Sequence, residues 1–234
     1  MDPRQLFLDE RLRGRCAFCG GPPDTRDHVP PKVFLDEPYP QELPVVEACN
    51  KCNTRASLDE EYLACLLECV ICGTADLLAV KRSKVRHILE RKPRLRERIA
   101  KAEYREESQN PIWRPEVERV RRVMVKLAHG HAAYELYPHL EEPYLVDFVP
   151  LEVMSKPERT AFEEGMSGPF QLWPELGSRA FMRAVGISPD KCDTANGWIV
   201  VQPGRYRYAV FERTIVRIVL SEYLACTVVW GCYG

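Results

Sequence analysis

The stretch DTRDHVPPKVF, Asp24 to Phe34, sets a carboxylate and an imidazole side by side at Asp27 and His28 and follows them with Pro30 and Pro31. It lies between two cysteine pairs of identical spacing, Cys16-x-x-Cys19 and Cys49-x-x-Cys52. Four thiolates in two short loops match the four ligands of tetrahedral zinc, and each loop lets backbone amides support the sulfurs. A closed four-cysteine site has no open coordination position. Its zinc would staple a small module together and leave chemistry to other residues.

Those other residues are the ones the cysteines enclose. A histidine, with an ordinary pKa near ~6.5, can take a proton from water around neutral pH. Asp27 supplies a hard carboxylate oxygen, and Asn53, next after Cys52, a hard amide oxygen. Both suit Mg²⁺ or Mn²⁺ better than thiolates do. Two kinds of metal site are therefore implied, a structural Zn²⁺ on sulfur and a catalytic cation on oxygen. Neighbours on a strand point to opposite faces, so Asp27 and His28 are expected to share a site where the strand bends or bulges. Pro30 and Pro31 fit such a departure.

The succession Cys-x-x-Cys, Asp-His-Val-x-Pro, Cys-x-x-Cys-Asn and then a helix resembles the zinc-stapled HNH endonucleases, whose active site is a ββα-metal module. The matching pieces are Cys16 and Cys19, DHVPPK at Asp27 to Lys32, and CNKCN at Cys49 to Asn53. The resemblance covers residues 14–72, roughly a quarter of the chain. It implies hydrolysis of phosphodiester bonds in DNA, with His28 as general base and Asp27 and Asn53 as ligands of the divalent cation. The family's middle asparagine, which tends to brace the loop facing the histidine, has no clear counterpart. QELPVVEAC offers Gln41, Glu42 or the backbone near Pro44 instead. Ser57 stands where some members place another ligand, and with Glu60 it reads as a helix cap. The alternative is a module that kept the zinc frame without catalysis and binds nucleic acid or regulates; a weaker one is a hydrolase of another phosphoester.

A grip on nucleic acid has candidates of its own. The formal net charge is −1, yet between Lys81 and Lys126 sixteen Lys and Arg face seven Glu. Such a block suits phosphates, and Lys81, Arg82, Lys84 and Arg86 form its densest start. It reads equally as a solvated helix face. Nearer Asp27, Arg26, Lys32, Lys51 and Arg55 are expected to contact the scissile phosphate. A homodimer would serve double-strand cutting, but no sequence feature establishes one.

The fold class expected is α+β: a small zinc-bound ββα module at 14–72, a basic helical region at 73–140 and a β-rich region at 141–234. SLDEEYLACLLECVIC, Ser57 to Cys72, has helical spacing, with Gly73 as its stop. Further helices fit PRLRERIAKAEYREE and PEVERVRRVMVKLAHGHAAYEL, so the middle is expected to be all helical. From Tyr144 the pattern turns to strands, in YLVDFVPL, GPFQLW, AFMRAV, GWIVVQ, RYRYAVF and TIVRIVLSEYLACTVVW, with a turn at Pro203-Gly204. The aromatics of GWIVVQPGRYRY read as a packed hairpin rather than a base-stacking surface. Cys65, Cys69 and Cys72 share a helical face as small core residues, and His87, His129, His131 and His139 read as ordinary.

Composition bounds the rest. At 234 residues, 45% hydrophobic and 29% charged, the chain suits a globular protein of one or two domains. No window approaches the ~18 apolar residues of a membrane span, and MDPRQLFLDERLRGR carries charges where a signal peptide needs its apolar stretch. A cytoplasmic protein is expected, and in a reducing compartment paired cysteines hold metal more readily than disulfides.

Overall fold

The computed structural model describes residues 13–41, 43–104, 111–136, 141–164, 197–211 and 215–231, and it mixes helices with antiparallel sheet. The chain forms two compact units, residues 1–54 with 124–234, and residues 55–123. No helix among the described residues is long and apolar enough to cross a membrane.

The first unit begins with a hairpin of β1 (Thr25–His28) and β2 (Val45–Ala48), in register from Thr25 opposite Ala48 to His28 opposite Val45. Helix α1 follows at once, Asn50–Cys72. It starts seven residues before the serine expected to cap it, because its start is built from groups that no Ser-x-x-Glu pattern reveals. Cys49 Sγ accepts the N–H of Cys52 at 3.4 Å, and Asp24, far back in sequence, accepts the N–H of Asn50 on Oδ1 at 2.5 Å. Sulfur and carboxylate together satisfy donors that a new helix leaves unpaired, and both favour its positive end. Ser57 and Glu60 consequently lie inside the helix. Its far end is the expected one: Gly73 has φ +70°, its N–H goes to Val70 and that of Thr74 to Cys69, the paired bonds of a glycine-terminated helix.

In the second unit, Tyr62, Cys65, Leu66 and Cys69 of α1 form a core with Val80, Val85, Leu89 and Ile99. The last three come from α2 (Ser83–Arg91) and α3 (Pro93–Ala102). The backbone ahead of α2 is held by a buried acid, Glu68, whose Oε1 accepts the N–H groups of Lys81 and Arg82 at 3.2 and 3.0 Å. The middle is not all helical. Two-residue strands β3 (Glu103–Tyr104) and β4 (Ile112–Trp113) pair as the chain leaves α3 in extended form, and Arg114 N–H reaches the Ala102 carbonyl at 2.8 Å.

After α4 (Val117–Glu135) the first unit resumes with a five-stranded antiparallel sheet in the order β5-β9-β8-β7-β6. Its strands are β5 (Leu145–Pro150), β6 (Ile199–Gln202), β7 (Tyr206–Phe211), β8 (Ile215–Leu220) and β9 (Leu224–Val229). The expected turn joins β6 to β7 with Gly204 at φ +71°. Alternation assigns the two faces of β7. Ala209 and Phe211 pack with Phe162 of the capped helix α5 (Lys156–Glu163), whereas Tyr206 and Tyr208 meet His131 of α4. Trp198, Tyr206 and Tyr208 are buried, so this hairpin is packed and presents no stacking platform. The stretches GPFQLW and AFMRAV lie outside the described residues.

Candidate functional site

The four cysteines converge. Their sulfurs all lie within 4.8 Å of one another, and among the described residues no other group of three or more Cys, His, Asp or Glu comes as close. Cys19 Sγ and Cys49 Sγ are 3.8 Å apart, matching the edge of about 3.8 Å that a tetrahedron with Zn–S bonds of about 2.3 Å requires. A disulfide would need about 2 Å. Local backbone shapes each half of the site. Cys16 N–H donates to the Gly21 carbonyl at 2.7 Å, and Gly20, at φ +72°, returns its N–H to Cys16 at 2.9 Å. On the other half, the amide of Cys52 lowers the Cys49 thiol to about 7, while burial pushes Cys16 and Cys52 up. A divalent cation supplies the charge that lets buried thiols ionise together. The donor set and its spacing thus fit a structural metal such as zinc.

The hairpin beside this cluster carries the residues singled out for chemistry. An open groove of about 580 Å³ runs along β1 and is lined by Asp24, Thr25, Arg26, Asp27, His28 and Glu47, among others. Asp27 and His28 both border it without the expected bulge, since the register with Val46 and Val45 is unbroken. Among the described residues β1 pairs with β2 alone, so side chains from both faces reach its other edge. The same two residues also border a small space with Phe18, Val29, Pro31 and Lys126.

Asp27 has a partner that sequence reasoning missed. Lys126 Nζ, from α4, lies 2.5 Å from Asp27 Oδ2, and both side chains are about nine-tenths buried at 9% and 11% exposure. The ammonium also stands 5.2 Å from the ring centre of Phe18, inside the first cysteine loop. Asn53 reaches the hairpin from the first turn of α1. Its Nδ2 makes long contacts with Thr25 Oγ1 at 3.4 Å and the Arg26 carbonyl at 3.5 Å. With the nitrogen turned to the strand, Oδ1 remains as the hard oxygen of the amide. His28 is half-buried with Nδ1 out of solvent. Across the hairpin, the Pro44 carbonyl accepts the N–H of Val29 at 2.9 Å. Of the groups considered for the missing asparagine, Gln41 is exposed and Glu42 lies outside the described residues.

The basic residues divide by role. Arg26 lines the groove, Lys51 and Arg55 are exposed on α1, and exposed Lys32 stands 5.3 Å from the ring centre of Tyr39. In the second unit Lys81 is exposed and Lys84 half-buried. Arg82 is buried, and the Arg86 guanidinium donates to the Val80 carbonyl at 2.6 and 3.2 Å.

No protein-family model, curated protein or solved structure matches the chain. What the site can do is decided by its own residues.

Proposed function

We propose that the protein is a metal-dependent endonuclease of the HNH type, hydrolysing phosphodiester bonds in DNA. The observation that carries this reading is that one hairpin and the first turn of one helix hold all three candidate groups. Asp24 and Asn53 tie α1 to β1, beside Asp27 and His28, within a frame stapled by the four cysteines. In this reading His28 takes a proton from water on Nε2, since Nδ1 is buried, and the hydroxide forms a new P–O bond as the bond to the leaving oxygen breaks. Asp27 and Asn53 Oδ1 would hold Mg²⁺ or Mn²⁺, which when bound would stabilise charge on the phosphate and the leaving oxygen. Arg26, Lys32, Lys51 and Arg55 would position the backbone of the nucleic acid. The test is nicking of plasmid DNA with Mg²⁺ or Mn²⁺, beside His28→Ala and an EDTA control. Loss of cleavage in both controls is expected. Activity that survives in His28→Ala, or a failure to cleave DNA or RNA with any divalent ion, would refute the reading.

The Lys126 ammonium favours a second reading. An aspartate already neutralised by a buried lysine suits a zinc-stabilised module that binds nucleic acid without cutting it. Salt-sensitive DNA binding with no cleavage would select it.

A further inference from the structure

Asp27 is asked to ligate a divalent cation, yet its carboxylate already faces the Lys126 ammonium at 2.5 Å. The lysine is held there by the fold. One turn beyond Lys126 on α4, Gly130 lets Val29 come so near that a Cβ would meet Cγ2 at 2.9 Å, which sets α4 against the end of β1. Phe18 lies beneath the ammonium, and little solvent reaches the pair to screen it. The charges of Asp27 and Lys126 cancel within the pair. A neutral set holding an ammonium close to the ligating carboxylate repels an incoming divalent ion, and burial strengthens the repulsion.

We propose that Lys126 is a resident counter-cation that keeps divalent-ion affinity at Asp27 low until an anionic phosphodiester joins the site. The inference rests on the assignment of Asp27 as a cation ligand. A phosphodiester brings the missing negative charge and further oxygens, in keeping with the way Mg²⁺ shares its coordination between one or two carboxylates and substrate phosphates. Metal and substrate then bind cooperatively, and Lys126 is the source of the coupling. Lys126 is a positioning residue here, acting on the cation through Asp27.

The experiment is a Mn²⁺ titration of the zinc-loaded full chain, read by electron paramagnetic resonance with no nucleic acid present. Wild type, Lys126→Met, Lys126→Arg and Asp27→Asn/Lys126→Met are compared, with zinc content and circular dichroism as folding controls. Lys126→Met is expected to bind Mn²⁺ on the order of tenfold more tightly than wild type. Lys126→Arg should stay near wild type, and the double variant should lose the gain. Unchanged or weaker binding in Lys126→Met overturns the proposal even if the protein cleaves DNA. Tighter binding without cleavage sustains it and counts against the nuclease reading. Should Lys126→Met not fold, wild type supplies the reciprocal readout. Saturating Mn²⁺ should raise acylation of Lys126 by an amine-reactive reagent several-fold, measured by peptide mass spectrometry, and no change would overturn the proposal.

Discussion

Gly130 and Val29 are in such close contact that a Cβ at position 130 would stand 2.9 Å from Cγ2 and 3.0 Å from Cγ1 of the valine. Inside an exposed helix, alanine in place of glycine would stabilise by up to ~1 kcal/mol. Here the neighbour is a stiff β-branched side chain that is itself buried, so overpacking decides the sign. Gly130→Ala is expected to destabilise the protein by about 1 to 3 kcal/mol in urea denaturation. Adding Val29→Ala should recover part of the loss by making room; a Gly130→Ala variant more stable than wild type would contradict the packing described.

The carboxylate of Asp24 caps the start of α1. Asp24→Ala removes the acceptor for Asn50 N–H and is expected to cost about 1 kcal/mol. Asp24→Asn keeps an acceptor oxygen but not the charge, so its loss should be smaller. Urea denaturation of the three proteins at one pH checks the order.

Metal content is expected to be about one zinc per chain, released when the thiols are modified. Cys65 and Cys69 add no second site: among the described residues the only group of three or more Cys, His, Asp or Glu placed to hold a metal is the four-cysteine cluster. Chelation should lower the melting temperature and loosen the hairpin, seen as faster amide exchange in β1 and β2. Two tightly held zinc ions per chain would contradict this.

His131 gives the fold an acid-sensitive element. Its Nε2 lies 2.7 Å from Tyr206 Oη, its ring stacks on Tyr208 at 3.6 Å between centres, and Tyr208 in turn donates to buried Glu135 at 2.5 Å. Burial pushes the imidazole down to about 3. The unfolded chain then binds a proton that the folded one refuses, so stability rises with pH over this range. The contribution is whole above an unfolded pKa near ~6.5 and is lost as pH falls from there toward about 3. Between pH 7 and pH 5 the stability difference between wild type and His131→Gln should shrink by about 2 kcal/mol. A difference that stays constant would show that the histidine is not kept neutral.

What the sequence made legible was local or periodic. The cysteine spacing alone foretold the cluster, the glycine stop of α1 was visible at Gly73, and the hairpin of GWIVVQ and RYRYAVF was readable with its turn at Pro203-Gly204. What it hid was joined across distance. Asp27 and Lys126 sit in stretches that read respectively as motif and as basic helix, and no pattern links them. Asp24 capping Asn50 and Glu68 holding the backbone before α2 replace the serine and threonine caps that a sequence displays. The strands β3 and β4 are too short for a period of two to register. His131 was passed over because a lone histidine on a helix reads the same whether it faces water or two tyrosines.

The four-cysteine cluster also bears on how the chain is made. All four thiols belong to the first 52 residues, while Lys126 and the strands that complete the same unit come after an intervening unit of residues 55–123. During synthesis the four thiols emerge roughly 70 residues ahead of Lys126, so the hairpin and its metal can close first. The charged partner of Asp27 is delivered only later, so the ribosome releases the staple before the counter-ion.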